Sequence, residues 1–198
     1  MPSYQTQIPA ARVPIADQDG LPTREWFRYF SDLYTFTNIA TGAKTIGSFH
    51  DTGTQTAAAN TPTPITMNST DIAVSVALNP LVTSQIVMQK TAPHNIAFSL
   101  QFSNTSTTDE DDIFVWLRVN GHDISHTASY LTVPKKHAGV DGTAILALNI
   151  FYQFTAGDYA QLIWVTKTGG ASIQTIPGSV SPAYPASPGV IVTVNQLN

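Results

Sequence analysis

The sequence contains no cysteine, which excludes a disulfide framework and any metal site built from thiolates. Charged residues are scarce as well, since they make up 11% of the chain where about a quarter is usual for a globular protein. The surface must therefore consist largely of Thr, Ser, Asn and Gln. Such a surface is typical of β-rich proteins that work outside cells or on particles.

Several features that would indicate a particular partner are also missing. The 198 residues contain no basic block and carry a formal net charge of −4, so binding to nucleic acid is not expected. The longest apolar runs have the length of strands, so insertion into a membrane is not expected either. Residues 1–7 lack the basic and apolar regions of a secretory signal. Together these absences favour a protein that is made in a cytoplasm and displayed on a particle assembled there.

The most strongly patterned stretch of the chain is a predicted strand at residues 112–119. Alternation places four apolar residues on one face of this strand: Ile113, Val115, Leu117 and Val119. The other face carries Phe114 and Trp116, which a second layer of the same chain or a neighbouring subunit must cover. The Asn120-Gly121 pair that follows predicts a hairpin, because a type I′ turn needs a positive φ at both central residues.

Residues 1–20 are predicted to form an extended anchoring arm. Pro9 and Pro14 disfavour a helix at the residues before them. The segment has too few apolar residues for a core of its own, yet it carries Ile8, Val13 and Ile15. It is therefore either disordered by itself or an arm that becomes ordered in the groove of a partner.

Residues 21–45 predict one short helix and a connector. Thr23 is a suitable N-cap residue, and the helix is expected to end near Tyr34 after about three turns. One side of this helix carries an apolar stripe: Trp26, Phe27, Phe30 and Leu33. Two interpretations of the stripe are open, namely packing against the rest of its own domain or assembly into a short dimeric or trimeric bundle.

Residues 46–198 predict an antiparallel β-sandwich. Alternating apolar residues separated by turn signals indicate the following strands: residues 72–78, 96–102, 144–154, 159–165 and 190–194. In the first of these, one buried face is expected to hold Ile72, Val74, Val76 and Leu78. Residues 176–189 are rich in Pro and Ser and predict a long surface loop before the last strand.

The order of three short motifs is similar to that of a known family. Asn95 to Ser99 is followed by Val115 to Gly121, then by Ala156 to Leu162 and by a hydrophobic C-terminal strand. In this respect residues 46–198 resemble the C1q/TNF-like trimeric jelly roll, in which an Asn-Gly hairpin and a Gly-Asp-Tyr turn recur in the same order. The resemblance implies an all-β, antiparallel jelly-roll domain that assembles as a homotrimer.

Other stretches resemble the small fibre and decoration proteins of short-tailed bacteriophages. These stretches are residues 13–30, residues 47–56 and residues 184–194. The resemblance implies an N-terminal virion anchor, a short helical neck and a distal jelly-roll head. The chain departs from long tail fibres because it has no long coiled-coil or β-helical shaft, and this departure favours a stubby connector or head fibre.

Few residues are candidates for chemistry. His122 and His126 would share one face of a strand about 13 Å apart, which is too far to chelate one ion. The acidic run 109–112 lacks the glycine of a calcium-binding loop and is expected to be a solvated loop tip. No nucleophile elbow, zinc-protease motif or phosphate-binding loop occurs in the sequence. The expectation is therefore a protein that is not an enzyme and that has no metal and no cofactor.

The sequence thus leads to a structural virion protein of a tailed bacteriophage, located in the virion as a homotrimeric short fibre at the neck or on the head. Its expected partners are its own copies, portal, adaptor, tail or capsid proteins, and a host surface glycan if it aids adsorption. The alternatives are a capsid decoration (cement) protein and a carbohydrate-binding module that uses Tyr130, Tyr184 or Trp164. Trimer contacts or core positions are assigned to Phe114, Trp116, Tyr159 and Trp164. Virion anchoring is assigned to Ile8, Val13, Ile15, Trp26, Phe27 and Phe30.

Overall fold

The structure is a computed structural model that describes residues 8–10, 12–41 and 44–197, with the backbone alone for residues 34–41. The chain divides into two compact units, and the boundary lies between residues 43 and 44. In the described part of the chain, the first unit holds one helix, α1 (Arg24–Thr41), and the second unit holds the strands.

The strands are numbered in chain order. They are β1 (Ile46–Asp51), β2 (Gln55–Thr56), β3 (Thr63–Pro64), β4 (Ser69–Val74), β5 (Val76–Leu78), β6 (Ile86–Met88), β7 (Ala92–Asn104), β8 (Asp111–Val119), β9 (His122–Asp123), β10 (Ser129–Val133), β11 (Gly142–Phe154), β12 (Tyr159–Thr166), β13 (Ala171–Ile173), β14 (Ser179–Val180), β15 (Ala183–Tyr184) and β16 (Val190–Gln196).

Helix α1 is longer than the sequence pattern predicted, because it continues past Tyr34 to Thr41. No proline or glycine interrupts this stretch, and the β-branched residues after Tyr34 disfavour a helix only weakly. Thr23 precedes the helix as expected, and its carbonyl accepts the N–H of Phe27 at 2.8 Å. Its hydroxyl, however, donates a hydrogen bond to the carbonyl of Pro14 at 2.7 Å.

The segment before α1 bends back onto the helix instead of running straight. The indole Nε1 of Trp26 donates a hydrogen bond to the carbonyl of Val13 at 3.0 Å. Asp17 Oδ1 accepts the backbone N–H of Asp19 at 2.9 Å, and Gly20 has a φ of 77°, which together turn the chain. The prediction of an extended arm is therefore wrong for residues 12–20, and residues 1–7 and 11 lie outside the described residues.

Two antiparallel sheets make up the second unit. In the first sheet the strands lie in the order β2-β13-β7-β16-β1-β4, and β11 pairs with the other side of β7. In the second sheet the order is β10-β8-β12-β6-β5, with β3 beside β12 and β9 beside β8. The short hairpin β14-β15 lies within the predicted surface loop 176–189. The fold class is therefore all-β with antiparallel sheets, as the alternation in the sequence predicted.

The hydrophobic core is formed by the inward positions of both sheets. Ile113, Val115 and Leu117 of β8 are fully buried, so the face predicted for this strand is confirmed. The first sheet supplies inward residues from β7 and β16: Ile96, Phe98, Leu100, Phe102, Val190, Val192 and Val194. Burial of these side chains is the main favourable term for the sandwich.

The hairpin turn after β8 is confirmed. Asn120 has a φ of 49° and Gly121 a φ of 82°, as a two-residue turn of this type requires. The turn leads into β9, where Asp123 pairs with Arg118. This pairing places Asp123 beside the outward side chains of β8.

The predicted strand 72–78 is in fact two strands that belong to different sheets. Ser75 has a φ of 53° and separates β4, which pairs with β1, from β5, which pairs with β6. Ile72 and Val74 are consequently exposed, while Val76 is buried in the core. Alternation alone did not reveal this break, because the polarity of the residues keeps its period across Ser75 while the backbone changes sheet.

Candidate functional site

The four aromatic residues assigned to trimer contacts or core positions do not share one face. Trp164 is fully buried at 0% exposure, and its ring centroid lies 5.8 Å from that of Phe102 in the core. Phe114 and Trp116 lie on the outer side of the second sheet, and Tyr159 is half-buried at the start of β12. Trp164 is therefore a core residue of its own chain and offers no surface for stacking a sugar.

Trp116 has a polar partner within its own chain. Its Nε1 donates a hydrogen bond to Asp123 Oδ1 at 2.6 Å, and Arg118 Nε donates to the same oxygen at 2.7 Å. The hydrogen bonds from Arg118 and Trp116 hold the pKa of Asp123 below its ordinary value. The Asp123 side chain of β9 thus contacts part of the outward face of β8 that the sequence left open.

The acidic run predicted to be a solvated loop tip contains one fully buried carboxylate, Asp111. It accepts the backbone N–H groups of Thr168, Gly170 and Ala171 at 2.9, 3.0 and 2.9 Å, and also the hydroxyl of Thr166. Burial raises the pKa of Asp111, but the hydrogen bonds outweigh burial and lower it below its ordinary value. The prediction is wrong for this residue because the turn after β12 folds over it.

The next carboxylate, Asp112, joins three segments on the outer side of the second sheet. It accepts hydrogen bonds from Lys167 Nζ at 3.0 Å, from Thr132 Oγ1 at 2.9 Å and from the Tyr130 hydroxyl at 3.1 Å. Lys167 contributes most to holding the pKa of Asp112 below its ordinary value, and the two hydroxyls add to the effect. Tyr130 and Lys167 are thereby held close to β8.

Phe114 and Tyr130 form an exposed aromatic pair on neighbouring strands. They lie directly opposite each other in the β8-β10 register, with ring centroids 5.1 Å apart and planes inclined by 42°. Phe114 is 40% exposed and Tyr130 is 57% exposed. An open groove of about 620 Å³ runs beside Tyr130 and is lined by Thr108, Asp109, Glu110, Asp112, Thr132, Lys135, Lys167 and Thr168.

The outer face of the first sheet is broad and nearly free of charge. Its centre is built from small side chains of β7, β11 and β16, namely Ala97, Ser99, Ala147 and Thr193, which form a shallow trough of about 360 Å³. Ile145 and Phe151 of β11 are 66% and 64% exposed on this face. No outward position of β7, β11 or β16 in the described chain is a Lys, Arg, Asp or Glu.

The charge that this face does carry lies near its β4 edge and is paired. Asp71 Oδ2 accepts a hydrogen bond from Ser48 Oγ at 3.0 Å and lies 3.1 Å from His50 Nδ1. The hydrogen bonds from Ser48 and then His50 lower the pKa of Asp71. The carboxylate therefore stays ionised and bound within its own chain.

The residues assigned to virion anchoring lie in the first unit. Ile8, Ile15, Phe27 and Phe30 are exposed, whereas Val13 and Trp26 are half-buried where the loop contacts the helix. The Trp26 and Phe30 ring centroids are 5.5 Å apart. Phe27, Phe30 and Leu33 are exposed on α1, and they belong to the apolar stripe predicted from the sequence.

The histidines are not arranged as metal ligands. His122 lies in β9 and His126 follows in a loop with a φ of 65°. Among the described residues, no group of three or more His, Cys, Asp or Glu side chains is placed to hold a metal ion. His94 is buried in β7, its Nδ1 donates to the carbonyl of Ala92 at 2.9 Å, and burial lowers its pKa.

Neither the comparison with protein-family models nor the comparison with curated proteins finds a match for this chain. In the part of the chain that the structure describes, no helix combines the length and the apolar character needed to cross a membrane. The function of the protein must therefore be inferred from its surfaces.

The outer face of the first sheet was not among the sites predicted from the sequence. The sequence does contain part of the evidence for this face, because four alternate positions of β11 carry no charge: Ile145, Ala147, Asn149 and Phe151. That β7, β16 and β1 continue the same neutral surface depends on strand pairing. Strand pairing between distant segments is not readable from alternation.

Proposed function

We propose that the protein is a structural virion protein of a tailed bacteriophage. In this proposal it is a homotrimeric short fibre at the neck or on the head, with an N-terminal unit for attachment to the particle and a jelly-roll domain for assembly. The observation that carries the proposal is the broad, neutral outer face of the first sheet. A face of this kind is suited to contact with further copies of the same chain.

The order of the strands supports a jelly roll. A jelly roll has eight strands, and we match the first to the eighth of them, in order, to β1, β6, β7, β8, β10, β11, β12 and β16. The first sheet then has the order first, eighth, third, sixth, and the second sheet has the order second, seventh, fourth, fifth. This alternation between two sheets is the order expected for a jelly roll built from two Greek keys, and it supports that part of the proposal.

The chemistry of the neutral face favours a second copy as its occupant. The cores of protein interfaces are depleted in charged residues, and identical copies that meet there bring no like charges together. The small side chains Ala97, Ser99 and Ala147 allow close approach, while Ile145 and Phe151 supply apolar area whose exposure is unfavourable in a monomer. The outward aromatics of β8, in contrast, already contact Tyr130 and Asp123 of their own chain.

The N-terminal unit supports attachment to another virion protein, such as a portal, adaptor, tail or capsid protein. It is a compact unit by itself, and its described residues expose Ile8, Ile15, Phe27 and Phe30. Exposed apolar residues grouped on a small unit are typical of an interaction surface. The low charge content of the whole chain agrees with a protein held on a particle.

The proposal is tested first by the mass of the full chain in solution. Light scattering after size exclusion at micromolar concentration should give three times the chain mass of 21.3 kDa. Replacing Ala147, at the centre of the neutral face, with Glu places three carboxylates in the trimer contact. The Ala147→Glu variant should therefore elute with the mass of one chain while keeping the β-rich circular dichroism spectrum.

Ala128→Glu is the matched control, because Ala128 is also exposed but lies in the loop between β9 and β10 of the second sheet. This variant should keep the mass of three chains. A monomeric wild-type chain would rule out the trimer, and an Ala147→Glu variant that remains trimeric would move the contact away from the first sheet.

A further inference from the structure

The aromatic pair Phe114 and Tyr130 has the features of a recognition surface rather than of a core fragment. The two rings lie side by side on the outer face of the second sheet, opposite to the inward faces that form the core. Both side chains are exposed, although polar residues are more usual at strand positions that face solvent. An exposed pair of aromatic faces supplies a flat surface that is apolar and carries negative potential above each ring.

The position of the Tyr130 ring is set in advance by its hydroxyl. The hydroxyl lies 2.8 Å from Thr132 Oγ1 and 3.1 Å from Asp112 Oδ1, and Lys167 holds the second oxygen of the same carboxylate. A ring that is already oriented loses little conformational freedom when a ligand binds. The exposed rings of Phe114 and Tyr130 form a platform, and these hydrogen bonds fix the orientation of the Tyr130 ring before any ligand binds.

The groove next to this platform offers free polar groups. In the part of the chain that the structure describes, the side chains of Glu110 and Lys135 make no hydrogen bond or ion pair. Both line the groove, together with the hydroxyls of Thr108 and Thr168. A volume of about 620 Å³ lies within the range of small-molecule sites.

The charges of the groove select among ligand classes. Three carboxylates, those of Asp109, Glu110 and Asp112, face two ammonium groups, those of Lys135 and Lys167. This excess of negative charge disfavours phosphate, sulfate and uronic acids. The lining is too polar for a purely apolar ligand, so the ligand that fits best is uncharged, has one apolar face and carries several hydroxyls.

A pyranose ring has this combination. Its axial C–H groups make one face apolar and slightly positive, which matches the negative face of an aromatic ring. Its equatorial hydroxyls both donate and accept, as carboxylate and ammonium side chains require. We propose that the groove beside Tyr130 binds a neutral sugar unit of a polysaccharide, which stacks on Tyr130 and directs its hydroxyls to Glu110 and Lys135.

The experiment titrates the full-length chain with neutral oligosaccharides of glucose, galactose, mannose and N-acetylglucosamine, and measures binding by calorimetry and saturation-transfer NMR. At least one of the four should bind with a dissociation constant of about 1 mM or lower, as a shallow single site allows. The Tyr130→Ala variant should bind that sugar at least about ten-fold more weakly, because it loses the stacking surface. Tyr130→Phe keeps the ring but loses the hydrogen bonds that orient it, so it should bind more weakly than the wild type and more tightly than Tyr130→Ala.

Tyr184→Ala is the matched control, since Tyr184 is also an exposed tyrosine but lies on the β14-β15 hairpin. It should bind as the wild type does. If Tyr130→Ala unfolds, Glu110→Gln and Lys135→Ala provide the same test from exposed positions outside the strands and should each weaken binding.

Two results would overturn the sugar site. They are the absence of binding by all four oligosaccharides up to about 10 mM and unchanged binding by Tyr130→Ala. The mass of each variant is measured in parallel. If the chain is a trimer but binds no sugar, only the sugar site is contradicted. If the chain is a monomer that binds sugar, only the proposed trimer is contradicted.

Discussion

Removal of the Asp111 carboxylate should destabilise the fold. It is a buried carboxylate at the start of β8, and it accepts three backbone N–H groups and one hydroxyl of the turn that follows β12. Backbone N–H groups that lose a buried partner carry the full cost of desolvation. The turn and the carboxylate therefore stabilise each other, although they are far apart in the sequence.

The Asp111→Asn variant keeps the shape of the side chain but loses the charge and one acceptor oxygen. It should lower the free energy of unfolding by roughly 2–4 kcal/mol, measured by urea unfolding at neutral pH. Asp109→Asn changes an exposed carboxylate of the same run and should leave the urea midpoint where it is. Equal midpoints for the two variants would contradict the role assigned to Asp111.

The pH dependence of stability offers a second measurement on Asp111. The pKa of Asp111 in the folded chain lies below the ordinary value of about 3.9. Between these two pKa values the unfolded chain therefore binds more protons than the folded chain does. The stabilisation is therefore complete above about pH 4 and is lost as the pH falls through the folded pKa. The free energy of unfolding of Asp111→Asn should fall less than that of the wild type between about pH 4 and pH 2. An equal fall would show that other carboxylates cause the loss of stability at low pH.

At the scale of elements, the start of β11 depends on close approach to the segment that leaves β10. A Cβ atom on Gly142 would overlap the carbonyl oxygen of Pro134 and would lie 2.5 Å from its carbonyl carbon. Both atoms belong to the backbone, so a side chain at this position forces the two segments apart. β11 is the strand that runs beside β7 over its whole length and carries Ile145, Ala147 and Phe151.

Gly142→Ala should therefore destabilise the sandwich by about 1–3 kcal/mol or more, seen as a lower midpoint in thermal unfolding. Gly139→Ala is the control, because Gly139 has a φ of 85° but no atom within 4 Å of a Cβ built there. Only backbone strain of about 1 kcal/mol is expected at that position. A smaller shift for Gly142→Ala than for Gly139→Ala would contradict the packing described for the start of β11.

At the scale of the whole molecule, the proposed function assigns attachment to the first unit and assembly to the second. The sandwich has its own core and the proposed trimer contact, and the N-terminal unit exposes its own apolar residues. The described residues of one N-terminal unit offer a small apolar contact surface, so a single unit should bind a virion partner weakly. In the proposed trimer, three such units would raise the effective concentration and make attachment durable.

Deletion of residues 1–20 should therefore leave a folded trimer that is absent from purified particles. The measurement compares the amount of truncated and full-length protein on particles produced in parallel, with light scattering as the control for assembly. A truncated trimer found on particles in normal amount would place attachment in the sandwich, and the protein would then be better described as a capsid decoration protein.

The sequence by itself determined those features that depend on residues close together in the chain. Alternation assigned the inward faces of β7, β8 and β16, because neighbouring side chains of a strand point to opposite sides. The Asn120-Gly121 pair determined its hairpin turn, because few residues adopt a positive φ at low cost. The low charge content likewise indicated a protein whose surface is mostly neutral.

Only the tertiary structure decided the features that depend on segments far apart in the chain. The step from one sheet to the other at Ser75 leaves no mark in the polarity of the residues, since it is a backbone turn. Asp111 became buried because a turn more than fifty residues later folds over it. The neutral face and the pairing of Phe114 with Tyr130 arise from strand order and register, and these result from packing of the whole chain rather than from local preference.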